Sequence, residues 1–375
     1  MRRIVISTVG TSLLTNQINR SNPDEKDWYN KLREFANHNK KDTPQTIQNI
    51  IQQLRNRASK KLAQSKIEII RLSSAELNGL HGLYNNQLAL AKQDIQFLIS
   101  TATYQCQTTA EIIRDFLQQQ GLSSVDIYTP PSLSTANTED FSSGIDELIV
   151  WLRENIPDYK EKGFKVYFNL VGGFKSLQGY LNTIGMFYAD EILYIFEGKN
   201  AELITIPRLP ITLDCQAIKP HRVSLALMDA GLTMPSNEQI LESLVLTIDK
   251  EMTLSTWGKL VWGECKNSLL SQELLAFPRI SLEDSFRQDY NKIADLEEKV
   301  KLQETLATVS YLLEENNGDI APLKKHGGIQ YSNLKAKHSA FGHFRVTQGK
   351  RVTCIIKKGI LHLRRYGQHT INDNP

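Results

Sequence analysis

Over the first 210 residues, short β-branched apolar runs alternate with stretches whose apolar residues recur every three or four positions, and this alternation leaves few folds open. The runs are RIVIST (3–8), KIEIIRL (66–72), IQFLIST (95–101), SVDIYTP (124–130), KVYFNLV (165–171) and ILYIFEG (192–198), each expected as a strand. Helical periods such as TPQTIQNIIQQLRNRASKKLA and TTAEIIRDFLQQQG fill the intervals. The order predicts a parallel sheet in an α/β, Rossmann-like doubly wound domain, where ligands sit beyond the carboxyl ends of the strands. Loops that leave strands are therefore the places to look for chemistry. The polar stretch from Leu14 to Thr43 is expected as a long loop or exposed insertion rather than a core element.

A chain of 375 residues exceeds one ordinary core. We divide it into 1–215, a helical connecting segment 216–278, and a small α+β domain 279–375. In the middle segment, SNEQILESLVLTIDKEM reads as a helix with Ser236 and Gln239 as its capping box, and Trp257 and Trp262 read as packing residues. The last part opens on a strand at PRISLED, has a helix from Asp284 and another through KLQETLATVSYLLEENNG, and then three or four strands.

Apolar residues at 41% and charged residues at 23% exclude a disordered, collagen-like or coiled-coil chain. Four cysteines, Cys106, Cys215, Cys265 and Cys354, lie far apart without a CxxC pair. The expectation is neither a zinc site nor a disulfide framework, hence reduced thiols and a cytoplasmic location. The start MRRIVIS has no apolar export core and no long apolar run follows, so neither export nor membrane insertion is expected. The net charge of +3 hides a strong asymmetry. From Ala321 to Pro375 there are eleven Lys/Arg and one acidic residue, leaving 33 basic and 40 acidic residues elsewhere. A basic C-terminal module on an acidic body is the footprint of polyanion binding confined to one place.

Two loops follow strands and offer Gly, free N–H groups and hydroxyl or ammonium groups, which is what a phosphate backbone requires. They are STVGTSLLTN (7–16) and NLVGGFKS (169–176). Neither has the spacing of a nucleotide-hydrolysing P-loop or of a dinucleotide fingerprint. With LSSAEL at 72–77 and STATYQCQTTA at 100–110, they resemble the CARF domains, the CRISPR-associated Rossmann folds that sense cyclic oligoadenylates. The resemblance covers about residues 1 to 215. It implies a homodimer whose paired loops surround the ring, expected to be cyclic tetra-adenylate, with Gly10, Thr11 and Ser12 on one side and Asn169, Gly172, Gly173 and Lys175 on the other. Some CARF proteins also cut the ring with a hydroxyl and a lysine that match Ser12 and Lys175.

The run FRVTQGKRVTCIIKKGILHLRRYGQH (344–369) reads as antiparallel strands joined by turns at Gln348-Gly349 and Lys358-Gly359. With SFRQDYNKI, the helix ending LLEENNG and the basic NLKAKHSAFGHFRV before it, the order resembles the RelE/ParE toxin family over about 279–372. RelE-type members cut message in the ribosomal decoding site; ParE-type members bind gyrase and cut nothing. Metal-free RNA cleavage needs a base for the 2′-OH, an acid for the departing oxygen and cations around the phosphate. By the resemblance, Arg351 would hold the scissile phosphate, Lys335, Lys337 and Arg345 would add charge, and Arg365 and His369 would sit together at the end of the last strand. His369 would replace the tyrosine base of other members. His343 and His338 are further acid/base candidates, whereas His362 is expected to be structural. Arg365 is preferred to Arg364 as the one facing message.

Together these readings give a ring-regulated mRNA interferase of type III CRISPR defence, acting on ribosome-bound message and needing no cofactor or metal. Two alternatives stand beside it: a ring nuclease with an inert C-terminal domain, and a CARF-regulated module that grips ribosome, gyrase or an antitoxin without cutting.

Overall fold

The computed structural model describes residues 2–196, 202–236, 239–334 and 340–373. It shows two compact units, Met1–Ile211 and Thr212–Pro375.

The first unit runs β1 (Arg3–Thr8), α1 (Ser12–Thr15), α2 (Trp28–Glu34), α3 (Gln45–Gln64), α4 (Ile67–Ser73), α5 (Ala75–Leu83) and β2 (Ile95–Ile99). There follow α6 (Tyr104–Gln119), β3 (Val125–Tyr128), α7 (Thr138–Glu161), β4 (Lys165–Asn169), α8 (Lys175–Tyr188), β5 (Glu191–Ile195) and β6 (Leu203–Pro207). The sheet order is β3-β2-β1-β4-β5-β6. The first five strands are parallel, and β6 runs antiparallel to β5. Strand order reverses between β1 and β4, which lie side by side with Ser7 opposite Asn169. This is the switch point at which doubly wound sheets open a crevice, because the connections on its two sides diverge. Ile4, Val5 and Ile6 are all fully buried, as a central strand covered on both faces requires.

Three readings of this unit need correction. KIEIIRL is a helix, α4. A short apolar run does not distinguish strand from helix by periodicity, and here the Ser74 side chain, accepting the Leu77 N–H, starts another helix directly after it. A sixth strand, β6, escaped the pattern. The stretch 14–43 is not all loop: α2 lies within it, and Glu25 is buried against Arg57 in a two-pronged ion pair at 2.7 and 2.8 Å.

The second unit begins with α9 (Arg222–Ala230), β7 (Met234–Pro235), β8 (Val245–Ile248), β9 (Glu251–Leu254) and α10 (Thr256–Leu270). It continues through β10 (Ile280–Leu282), α11 (Asp284–Asn291), α12 (Leu296–Glu315) and α13 (Ala321–Lys325). The chain then forms β11 (Ser332–Asn333), β12 (Gly342–Arg345), β13 (Lys350–Lys357) and β14 (Ile360–Gln368), ending in a 3-10 turn at His369–Asp373. Its main sheet has the order β10-β14-β13-β12-β11, antiparallel except that β10 runs parallel to β14. Lys358 and Gly359 both have positive φ, 52° and 74°, the geometry of a tight turn whose twist matches that of the strands it joins.

The segment 216–278 is not wholly helical. Where SNEQILESLVLTIDKEM was expected as a helix, β8 and β9 form a hairpin turning at Asp249 and Lys250, both at positive φ. Residues 237 and 238 of the expected cap lie outside the described residues, and the β-branched VLTI run explains the strand. Beside β9 lies β7, giving a three-stranded sheet. One core joins Leu225, Met252, Trp262 and Leu269 of this segment to Phe286, Leu306, Phe344 and Val352. Packing is thus the role of Trp262, as read.

The thiol expectation also fails. Cys215 and Cys265 form a disulfide, their Cα atoms 5.4 Å apart, a proximity made by the fold across 50 residues of sequence and invisible in the spacing. Cys106 and Cys354 are buried free cysteines. Among the described residues no helix is long and apolar enough to cross a membrane.

Candidate functional sites

The loops after β1 and β4 meet at the switch point of the first unit. Thr8 donates its hydroxyl to the Gly172 carbonyl, and a Cβ on Gly10 would lie 3.1 Å from the Gly173 nitrogen. Gly173 has φ +95° and a Cβ there would strike Thr8 at 2.8 Å, so both the conformation and the space call for glycine. Under the loops lies Glu76, fully buried. Its Oε1 accepts the Gly10 N–H at 2.8 Å and its Oε2 accepts the Ser74 hydroxyl at 2.7 Å. Burial raises the pKa of this carboxyl, against the lowering effect of those bonds.

The residues expected to bind the ring divide by depth. Ser12 and Lys175 are exposed, at the starts of α1 and α8; Thr11 and Gly173 are half-buried, and Gly10 and Gly172 buried. Asn169 is wholly buried. Its Nδ2 donates to the Ser7 hydroxyl and the Glu76 carbonyl, both at 3.0 Å, while its Oδ1 has no partner. It braces β4 against β1 and α5.

In the second unit, the ladder pairs Arg345 with Arg351 and His343 with Thr353 across β12 and β13, and alternation puts all four on one face. The opposite face carries Phe344, Val352 and Cys354 into the core. No acidic residue among those described pairs with either arginine. Arg351 is held by its own turn, Nη1 donating to the carbonyls of Thr347, Gln348 and Lys350 at 2.7, 3.2 and 2.9 Å. Burial, then the facing Arg345, lowers the Arg351 pKa.

The C-terminal turn returns over this face. His369, exposed, stands edge-on to His343 with ring centres 6.4 Å apart. His343 Nε2 lies 3.3 Å from the Ser332 hydroxyl. Burial, then Arg351 and His369, hold the His343 imidazole below its usual range. His343 Nδ1, Arg345 Nε and Thr353 Oγ1 are buried without a partner. Unpartnered buried polar atoms are costly, and three of them lie together on this face.

The structure thus gathers Arg345, Arg351, His369 and the further candidate His343, and adds Thr353. Arg365 stands opposite Thr353 in the β13–β14 ladder, but its guanidinium is committed elsewhere: its Nε donates to Asp289 of α11 at 2.7 Å, and the same carboxylate accepts the Tyr366 N–H. Arg364 pairs with Glu283 at 3.3 Å and stacks on Phe341. Arg364 is the unpaired residue of the irregularity in the β13–β14 pairing, where Thr353 faces Arg365 and Cys354 faces Leu363. Lys335, Lys337 and His338 lie outside the described residues. His362 sits opposite Ile355 in the β13–β14 ladder. Glu76 and Thr353 were not singled out by sequence reasoning. A lone glutamate after Ser-Ser-Ala reads as a helix-start residue, and a strand threonine reads as a β-former.

Residues 71–209 match the model of a family described as CRISPR-associated protein (Cas_APE2256). This part of the chain, which holds Glu76, Asn169, Gly172, Gly173 and Lys175, is therefore similar to a CRISPR-associated protein. Among solved structures, a copper-bound mutant toxin from Helicobacter pylori is similar over 25% of this chain and 97% of its own, with 21% identity and a TM-score of 0.18. That likeness is too slight to bear on fold or function.

Proposed function

We propose that the chain is a ribonuclease of CRISPR defence regulated by cyclic oligoadenylate, which seats the ring over the switch-point loops of the first unit and cuts ribosome-bound message on the arginine and histidine face of the second. The observation that carries the cutting role is the pair Arg345 and Arg351, directly opposed in the ladder with no acidic partner among the described residues, and His369 edge-on to the neighbouring His343. Like charges in that position destabilise a sheet, and a phosphodiester supplies the missing anion.

In the reaction, His369 takes the proton of a ribose 2′-OH, and the 2′-oxygen attacks phosphorus. The bond from phosphorus to the 5′-oxygen breaks, leaving a 2′,3′-cyclic phosphate; the 5′-oxygen takes a proton from water, and the hydroxide so formed takes back the proton held by His369. Arg345 and Arg351 offset the charge that gathers on the phosphate, which is where electrostatic stabilisation acts. His343, held neutral at pH 7 by burial and by Arg351, serves as a hydrogen-bonding wall. Arg365 acts through Asp289 as a brace of β14.

Ring binding shifts the enzyme toward its cutting state only by binding that state more tightly. Ser12 and Lys175 supply a hydroxyl and an ammonium for a second reaction, opening of the ring itself. The test is to supply translating ribosomes with cyclic tetra-adenylate and map message ends for wild type and His369→Ala. Cuts that vanish in the variant support this reading; undiminished cuts move the chemistry elsewhere. Labelled ring recovered intact after incubation with wild type would remove the ring-opening step alone.

A further inference from the structure

The geometry points to Glu76 as the positioning residue that holds the two switch-point loops in register to receive the ring, an inference that rests on the cyclic-oligoadenylate reading. Glu76 belongs to α5, not to either loop, yet its carboxyl touches both. Oε1 takes the Gly10 N–H at 2.8 Å on the β1 side. On the β4 side, a Cβ on Gly172 would stand 2.3 Å from the same oxygen. Oε2 is anchored by the Ser74 hydroxyl, which itself caps α5. The Glu76 backbone carbonyl accepts the Asn169 amide at the end of β4. One side chain therefore sets the spacing between Gly10 and Gly172, one glycine from each loop.

A carboxylate under a polyanion site would repel its ligand. No cation pairs with Glu76 among the described residues, and burial favours its neutral form. The facing titratable group, Cys106 on α6, is likewise kept uncharged, its thiol pushed up to about 11. What the site uses is shape and a hydrogen-bond acceptor, both of which glutamine retains.

The experiment measures cyclic tetra-adenylate affinity and, without ring, amide hydrogen exchange at Gly10. Glu76→Gln should stay within about threefold of wild type, while Glu76→Ala should bind about tenfold more weakly or worse. Gly10 exchange should be fast in Glu76→Ala and slow in the other two. Gly172→Ala adds a test independent of the folding of any one variant: its loss of ring binding should be smaller in a Glu76→Ala background, where the space is free. Wild-type affinity in Glu76→Ala, a Glu76→Gln as weak as Glu76→Ala, or strictly additive losses with Gly172→Ala would each overturn the assignment. If wild type itself binds no ring, the functional reading fails, and the Gly10 exchange rates still decide the role of Glu76: unchanged exchange in Glu76→Ala overturns it.

Discussion

Arg345 and Arg351 face each other across the β12–β13 ladder, two cations in register with no acidic partner among the described residues. If this arrangement serves the proposed cleavage at a cost in stability, substitution affects the two in opposite directions. Arg345→Gln should leave thermal stability unchanged or raise it by up to about 1 kcal/mol, while cutting message cleavage by about a hundredfold or more. Thermal melts and single-turnover cleavage of the same preparations check this.

Arg365 should behave in the reverse sense. Its guanidinium is committed to Asp289, so Arg365→Ala leaves a nearly buried carboxylate with the Tyr366 N–H and the exposed Lys292 ammonium at 3.8 Å. The expected loss is about 1–3 kcal/mol of stability, with cleavage per folded molecule little changed. Denaturant unfolding and a paired Asp289→Ala measurement check it, the two losses overlapping if they share one interaction.

The disulfide ties Cys215, four residues into the second unit, to α10. Cys265→Ser, or treatment with a reductant, should cost about 2–4 kcal/mol of that unit's stability, read as a fall in its melting temperature under oxidising against reducing conditions.

His81 is buried in α5 with both ring nitrogens unpartnered. Burial, with a smaller effect of Arg71, lowers it to about 4 from an ordinary 6.5. Below pH 6.5 the unfolded chain takes up a proton that the folded one refuses until about pH 4. The neutral imidazole's contribution is therefore complete above 6.5 and is lost as the pH falls toward 4, up to about 3 kcal/mol. Glu76, raised instead, acts with the opposite sign, losing stability as the pH rises past 4.5, and Glu25, lowered to about 2, matters only below 4.5. The comparison that isolates His81 is wild type against His81→Leu between pH 4 and 7, where the variant should lack this dependence.

Much of the architecture was legible because it follows from local pattern. Five of the six apolar runs expected as strands, with the helices between them, make the parallel sheet, and the switch point follows from the order β3-β2-β1-β4. The misreadings are places where local pattern is mute. The Ile-rich run at 67–73 suits strand and helix equally. The 245–254 hairpin depends on two residues at positive φ that sequence does not announce. At the sites, loops carrying Gly, Lys and Ser stand out by composition. Glu76 and the Asp289–Arg365 pair do not, because burial and partnership are made by tertiary contact across tens of residues.

The central claim joins the ring to the blade that cuts, and one measurement addresses it directly: the rate of message cleavage on translating ribosomes with and without cyclic tetra-adenylate, in wild type and in Lys175→Ala. We expect wild-type cleavage to rise with the ring and the rise to disappear in the lysine variant. Equal rates with and without the ring in wild type would contradict it.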